Sequence, residues 1–276
     1  MSDKQICIGC GSSQLMAVNE LLKCKACGLL FANRGVTLDY TSVYTEDTGV
    51  YQNHYKALDH FQTTARLMRV LLPFEEKIIS IVRSRQDIKL FVDLGCGVGR
   101  FLRALQISGQ SAIGYELSQQ LVDRLSGHGR DVRQGAVDEF LAHGQTADAI
   151  SMLEVIEHVP HPGDMVARIL REKRPKLMFV VVPDWSVRRK FDPQFALHDV
   201  PPNHLSWWSA QSLQCLMEHE GYSTSVTAVH EKRRSLVGNF LRNPNRMSFK
   251  ACFTLLQALF NPPTFWLLGV ATRNED

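Results

Sequence analysis

The chain has no apolar run long enough to cross a bilayer. Its longest, Leu177 to Val182 and Phe265 to Val270, have the length of buried strands, whereas a spanning helix needs about 20 residues. No N-terminal apolar stretch resembles a signal peptide, so the expected location is the cytoplasm. The excess of basic over acidic residues is slight. A formal net charge of +3 does not by itself point to nucleic acid or acidic membranes. Nor is there a basic run with interleaved aromatics of the kind that grips RNA; Lys4, Lys23, Lys25 and Arg34 are scattered. Internal repeats and low-complexity tracts are also missing, which excludes solenoids and linker-dominated chains. What remains is an ordinary globular composition, 45% hydrophobic and 21% charged, in a chain long enough to bury a sizeable core.

Cysteine is sparse but patterned. Four of the seven fall as Cys7-x2-Cys10 and Cys24-x2-Cys27; Cys96, Cys215 and Cys252 are scattered. Two such pairs at this separation predict a structural zinc site. A redox pair needs one C-x-x-C, and a disulfide framework suits secreted chains. Gly11 and Gly28 follow the pairs, which suits two tight knuckles whose backbone N–H groups point at sulfur, with a hairpin over residues 15–23. So small a unit relies on its metal for folding energy.

The next motif lacks the last glycine of a dinucleotide fingerprint. Phe91-Val92-Asp93-Leu94-Gly95-Cys96-Gly97-Val98-Gly99 runs from a buried strand through a glycine turn into a helix beginning at Arg100, the parts of a nucleotide-type site. A dinucleotide fingerprint would need glycine where Arg100 stands. D-x-G-x-G instead resembles motif I of class I S-adenosylmethionine (SAM)-dependent methyltransferases. Gly95 and Gly97 would remove the Cβ atoms that block a ligand lying across the turn. Glu116 ends the next strand, Ser111 to Tyr115. An acid there reaches ribose hydroxyls; otherwise it is a helix N-terminal acid beside the cap Ser118. Ala136 occupies the position where such families often carry an adenine-side acid, which leaves Asp138 or the backbone near Val137 for that contact.

Asp148 to Val159 closely resembles the E-V-I-E-H-V-P segment of many small-molecule methyltransferases. The ribbon ending Cys24-Lys25-Ala26-Cys27-Gly28-Leu29-Leu30-Phe31 and the segment Pro201-Pro202-Asn203-His204-Leu205 extend the resemblance to nearly the whole chain. It is to a group of zinc-ribbon class I methyltransferases acting in glycan or specialised-metabolite pathways. The resemblance implies an α/β, Rossmann-like seven-stranded sheet with a small N-terminal zinc ribbon. It divides the chain into a ribbon (1–33), a linker and helical lid (34–86) and a methyltransferase domain (87–276) with an insertion at about 235–260. It also implies a SAM site built from Asp93, Gly95, Cys96, Gly97, Gly99, Glu116, Leu117, Val137, Asp138 and Leu153. The seventh strand, Thr264 to Thr272, is expected antiparallel between the fifth (Leu177 to Val182) and the sixth (Thr224 to Val229).

The intermediate segments are less specific. Tyr40, Tyr44, Tyr51, His54 and Tyr55 would form a lid or pack the ribbon onto the core. Apolar residues at helical spacing predict a helix from about Phe61 to Arg83, kinked or split at Pro73. The apolar positions of the insertion, Leu236, Phe240, Phe249, Phe253, Leu256, Leu259 and Phe260, would cover the active site, a dimer surface or a lipid contact.

On the acceptor side, Leu153-Glu154-Val155 stands where enzymes methylating nucleobase amino groups carry N/D-P-P-Y, which argues against that chemistry. Glu154, Glu157 and His158 would share one face if the turn is helical. E-x-x-E-H at this place resembles ubiquinone-pathway O-methyltransferases and small-RNA terminal 2′-O-methyltransferases. That resemblance implies a second divalent metal on Glu154, Glu157, His158 and His204. Without it, His158 or His204 would be a general base, or the histidine purely structural. The expected function is therefore methyl transfer from SAM to a hydroxyl of a small-molecule or glycan acceptor, with a protein partner on the ribbon a further possibility. The alternatives are an RNA 2′-O-methyltransferase or RNA binder, and a non-catalytic partner subunit, against which an intact motif I and Glu116 argue.

Overall fold

The computed structural model describes residues 5–33, 58, 64–191, 199–201, 203–232, 237, 258–259 and 262–274. The tyrosine-bearing stretch and nearly all of the insertion lie outside them. Its centre is a seven-stranded sheet built from β4 (Leu90–Leu94), β5 (Ser111–Glu116), β6 (Val132–Gln134), β7 (Ala149–Leu153), β8 (Leu177–Pro183), β10 (Tyr222–His230) and β11 (Thr264–Arg273). The spatial order is β10-β11-β8-β7-β4-β5-β6. β4 to β8 run parallel, and β11 lies antiparallel between β8 and β10, as the resemblance implied. β8 reads Leu-Met-Phe-Val-Val-Val-Pro and is buried at every position, the pattern of a strand covered on both faces.

Helices α3 (Arg100–Ile107), α4 (Gln119–Gly127), α5 (Val137–Ala142), α6 (Pro162–Glu172) and α8 (Ala210–Met217) flank the sheet. Ser118 and Ser209 cap α4 and α8 through their side chains, satisfying donors that a helix start leaves free. The helix expected across Pro73 is two: α1 (Thr64–Val70) and α2 (Pro73–Arg83). Proline at the first position of α2 needs no backbone donor there, and Glu75 accepts the Leu72 N–H at 2.6 Å. A further helix, α7 (Trp185–Phe191), follows β8. Among the described residues no helix is long and apolar enough to cross a membrane.

The ribbon forms β1 (Leu15–Val18), β2 (Leu21–Cys24) and β3 (Leu30–Ala32). Asn19 turns the expected hairpin at φ 54°, a region asparagine tolerates. The small sheet does not stop at β3. Its fourth strand is β9 (Ser206–Trp207), supplied by the segment that follows His204. Cys7, Cys24, Cys27, Leu29 and Phe31 share one apolar core with Val92, Met152, Trp208 and Leu213. The ribbon is therefore held to the segment after His204 by strand pairing and to the larger sheet by shared burial.

Candidate functional site

β4 delivers Asp93 and the glycine turn to the carboxyl edge of the sheet, beside β5 and β7. The two central glycines serve different ends. Gly95 (φ 78°) faces protein: a Cβ there would lie 2.7 Å from Val155 Cγ2. Gly97 (φ 53°) faces open space: among the described residues nothing lies within 4 Å of a Cβ there. The expectation that both are kept clear for a ligand is thus corrected for Gly95, which is small because Val155 packs on it. The Gly95 and Cys96 N–H groups donate to the Tyr115 carbonyl at 2.8 and 3.0 Å, tying the turn to β5. Cys96 is buried with its thiol against Gly114, so its side chain belongs to the core.

Of the two roles anticipated for Glu116, the structure shows the one at the start of the helix. The Glu116 carboxylate accepts the Gly97 N–H at 2.9 Å and the Ser118 N–H at 3.0 Å, so it braces the glycine turn and the start of α4 together. Burial raises its pKa, and those backbone donors oppose the rise. Asp93 is 2% exposed and accepts the Ser151 hydroxyl at 2.5 Å. Burial pushes it up to about 7 against that hydrogen bond, with Glu75 and Glu116 adding to the rise. Leu117 is exposed and Leu153 half-buried at the same edge. Val137 is buried in the core. Asp138, expected as one option on the adenine side, has a side chain 76% exposed and paired with Arg168 at 2.6 Å, on the surface between α5 and α6.

Sequence reasoning missed Glu75. Its buried carboxylate receives Arg100 at 2.9 Å, joining α2 to the residue directly after the glycine turn. The pattern proline then acid at the start of a helix signals its capping role; nothing in the sequence signals Arg100 as its partner.

On the other side of Val155 lies a second cluster. Glu154 follows β7 at φ 55°, a strained conformation for a residue with a side chain. Its Oε1 accepts Trp266 Nε1 at 3.2 Å and Arg188 Nη1 at 3.4 Å. The turn that follows, Ile156–His158, is 3-10 and only one turn long. The shared helical face expected for Glu154, Glu157 and His158 is therefore not formed, and Glu154 stands outside the metal-type set. That set is Glu157, His158 and His204, with one donor atom of each within 4.8 Å of the others.

Its electrostatics are unusual. Glu157 is 1% exposed, and among the described residues neither carboxylate oxygen has a hydrogen-bond partner. Burial raises its pKa strongly, with Glu154 adding. His158 Nδ1 lies 2.7 Å from the Asn203 carbonyl. A carbonyl only accepts, so Nδ1 carries the proton and Nε2 keeps its lone pair. Burial lowers the pKa of His158. It brings His204 down to about 3, with His158 and Arg188 contributing. His204 Nε2 lies 3.8 Å from Asp199. Asp199, Arg188 and Trp266 were not anticipated and sit in no recognisable motif; Arg188 and Trp266 are also distant in sequence from Glu154.

The four ribbon cysteines form a third cluster, all four sulfurs within 4.8 Å of one another. Cys7–Cys27 and Cys10–Cys24 are each 3.7 Å apart. Tetrahedral zinc with bonds of about 2.3 Å has sulfur edges of about 3.8 Å, whereas a disulfide needs about 2 Å. Backbone groups of Gly9 and Cys10 face the Cys7 sulfur, and that of Leu29 faces Cys27, as the knuckles required. Cys7 is pulled down to about 5, chiefly by the Cys27 thiol, while Cys27 is pushed up by the same contact. The donor set and spacing fit a zinc ion.

The comparisons agree with the larger sheet. A family model described as "Methyltransferase domain" matches residues 61–225. A ubiquinone biosynthesis O-methyltransferase of Methylococcus capsulatus is 36% identical over 92 residues, covering 30% of this chain and 38% of the relative. The chain spans about two fifths of the length of the first curated relatives it matches. A SAM-dependent methyltransferase structure from Archaeoglobus fulgidus superposes with a TM-score of 0.52 at 16% identity, covering 81% of this chain and 100% of that one. The small RNA methyltransferase HEN1 gives 0.52 at 19%, covering 73% and 25%. At these identities the structural likeness carries the fold. Because the family model covers more than half of the sequence, with motif I and the E-x-x-E-H turn inside it, this chain belongs to the methyltransferase domain family.

Proposed function

We propose that the protein transfers a methyl group from SAM to a hydroxyl of a small-molecule or sugar-containing acceptor. In this reading a zinc ribbon (1–33) and a helical lid (34–86) serve a methyltransferase domain (87–276). Gly97 offers the open surface over which the cofactor lies, and Glu116 the carboxylate for its ribose. The O-methyltransferase names of the curated relatives support oxygen as the acceptor atom.

The observation that carries the acceptor side is Glu157. A fully buried carboxylate with both oxygens unpartnered is costly by several kcal/mol unless it stays protonated or meets a cation. Beside it, burial keeps both imidazoles neutral, the form that binds metal. One carboxylate and two imidazoles favour Mn²⁺, Fe²⁺ or Zn²⁺ over Mg²⁺. Bound there, such an ion would lower the pKa of an acceptor hydroxyl. The chain's own part is to hold His158 in one tautomer through Asn203. It also keeps Glu154 outside the set, on Arg188 and Trp266.

Mn²⁺ binding followed by electron paramagnetic resonance tests this, alongside calorimetry with SAM. Glu157→Gln should abolish the Mn²⁺ signal and leave SAM affinity unchanged. A screen of phenolic and sugar acceptors with radiolabelled SAM, with RNA as a separate arm, should show chelator-sensitive labelling of a small molecule. NAD binding without SAM binding refutes the cofactor reading. Labelling confined to RNA refutes the acceptor class, and chelator-insensitive turnover refutes the metal.

A further inference from the structure

Three connections join the ribbon to the acceptor-side cluster, and all are backbone hydrogen bonds. In the first, β3 pairs with β9, Leu30 opposite Trp207 and Phe31 opposite Ser206. In the second, the Ala32 N–H donates to the Leu205 carbonyl at 2.8 Å. In the third, the Leu205 N–H donates to the Glu157 carbonyl at 2.8 Å. Leu205 is therefore clamped between the last strand of the ribbon and the turn that carries Glu157 and His158. Its neighbour in sequence is His204. The same segment supplies the Asn203 carbonyl that fixes His158.

The ribbon's other end is anchored separately. The Gly163 N–H in the first turn of α6 donates to the Ile8 carbonyl at 2.9 Å. A Cβ on Gly163 would run into the Gly9 carbonyl oxygen. The knuckle of Cys7 and Cys10 thus lies flush on α6, where a single methyl group would lift it. Trp208 packs beside Gly9 and Leu29, closing the seam from the β9 side.

Short strands hold poorly alone. β9 is two residues long and β3 three. Neither would persist without what lies behind it. Behind β3 stand the four cysteines; behind β9, Trp207 Nε1 donates to the Asp199 carbonyl at 2.7 Å and its ring lies 6.1 Å from that of Trp185, so β9 is held from both sides and β3 supplies its backbone partner. We infer that the ribbon positions the acceptor side of the catalytic site: its knuckles hold β3, β3 holds β9, and Leu205 passes that placement to His204 and Glu157. The inference rests on the reading that these residues form the acceptor side, and it makes the zinc ribbon a part of the active site's scaffold. The glycine turn and Glu116 are braced from β5 and α4 instead, so the cofactor side should not feel the ribbon.

Hydrogen exchange of the full chain, read over residues 156–158 and 203–208, tests this without needing the acceptor. Ala32→Pro deletes the donor to Leu205 while leaving every cysteine in place. Gly163→Ala lifts the knuckle by a different route. Cys24→Ser removes a metal ligand. In each, exchange over 203–208 should rise about tenfold or more, SAM affinity should stay as in the parent, and Mn²⁺ affinity should fall. Gly163→Ala and Ala32→Pro should both keep their zinc, which separates displacement from metal loss. Met16→Ala, on the exposed face of β1, should change none of these. Unchanged exchange over 203–208 in both Ala32→Pro and Gly163→Ala overturns the inference. SAM affinity that falls in step with exchange also overturns it, because the ribbon would then support the whole fold. If the parent binds no Mn²⁺, the metal reading fails and the exchange data still decide the role of the ribbon.

Discussion

Alanine at Gly97 and at Gly95 should separate a glycine kept small for a ligand from one kept small for the fold. Both residues have positive φ, 53° and 78°, so either substitution carries a backbone cost of roughly 1–2 kcal/mol. At Gly97 that is the whole cost to the empty protein, because the new methyl meets nothing within 4 Å among the described residues. In a domain of this size it lowers the Tm by about 2–4 °C per kcal/mol. At Gly95 the methyl also meets Val155 Cγ2 at 2.7 Å, and overpacking adds roughly 1–3 kcal/mol. Thermal unfolding should therefore rank Gly97→Ala well above Gly95→Ala. Val155→Ala should recover the added part in the double variant, a coupling of about 1–3 kcal/mol. Calorimetry should rank them differently on SAM. Gly97→Ala should lose at least about tenfold in affinity, about 1.4 kcal/mol, because its methyl enters the cofactor's space. Wild-type SAM affinity in a folded Gly97→Ala protein would falsify the placement of the cofactor over this turn. Equal stability losses in the two variants would refute the assignment of Gly95 to Val155.

Glu116→Ala should weaken SAM by roughly 1.5–3 kcal/mol, the range for a lost hydrogen bond to a charged group; an unchanged dissociation constant refutes its ribose role. Purified protein should carry one zinc per chain by elemental analysis, and a Cys24→Ser variant that retains full zinc refutes the four-cysteine site. Asp93 should make stability depend on pH. Its folded pKa of about 7 lies above an unfolded value of about 3.9, so its contribution is fully present below about pH 4. It is lost as pH rises through 7, at about 1.4 kcal/mol per unit between the two values. Asp93→Asn should flatten that fall in denaturant titrations of the SAM-free protein between roughly pH 5 and 7; an unaltered slope refutes it.

The fold was legible because its signals are local. Gly95, Gly97 and Gly99 after a buried strand, Glu116 at the end of the next, and the all-apolar β8 each declare their place within a few residues. So do the two C-x-x-C pairs, since a tetrahedral sulfur cage needs only two knuckles brought together. The Pro73 break and the Ser118 and Ser209 caps were readable for the same reason: a missing donor or an added acceptor acts on its own turn.

Partners distant in the chain were decided by the tertiary structure. The sequence placed Glu154 with Glu157 and His158 on the premise of a helical turn. The chain instead leaves β7 through a left-handed residue into a single 3-10 turn, and Trp266 and Arg188 draw Glu154 away. The pairing of Asp138 with Arg168, from another helix, is likewise invisible in the sequence. Glu75 and Arg100 form a buried pair that no spacing announces. Most of all, the sequence shows the ribbon and the His204 segment as separate stretches. β3 and β9 are joined only because a short strand's exposed N–H and C=O groups must find partners, and the chain brings the edge next to His204 within their reach.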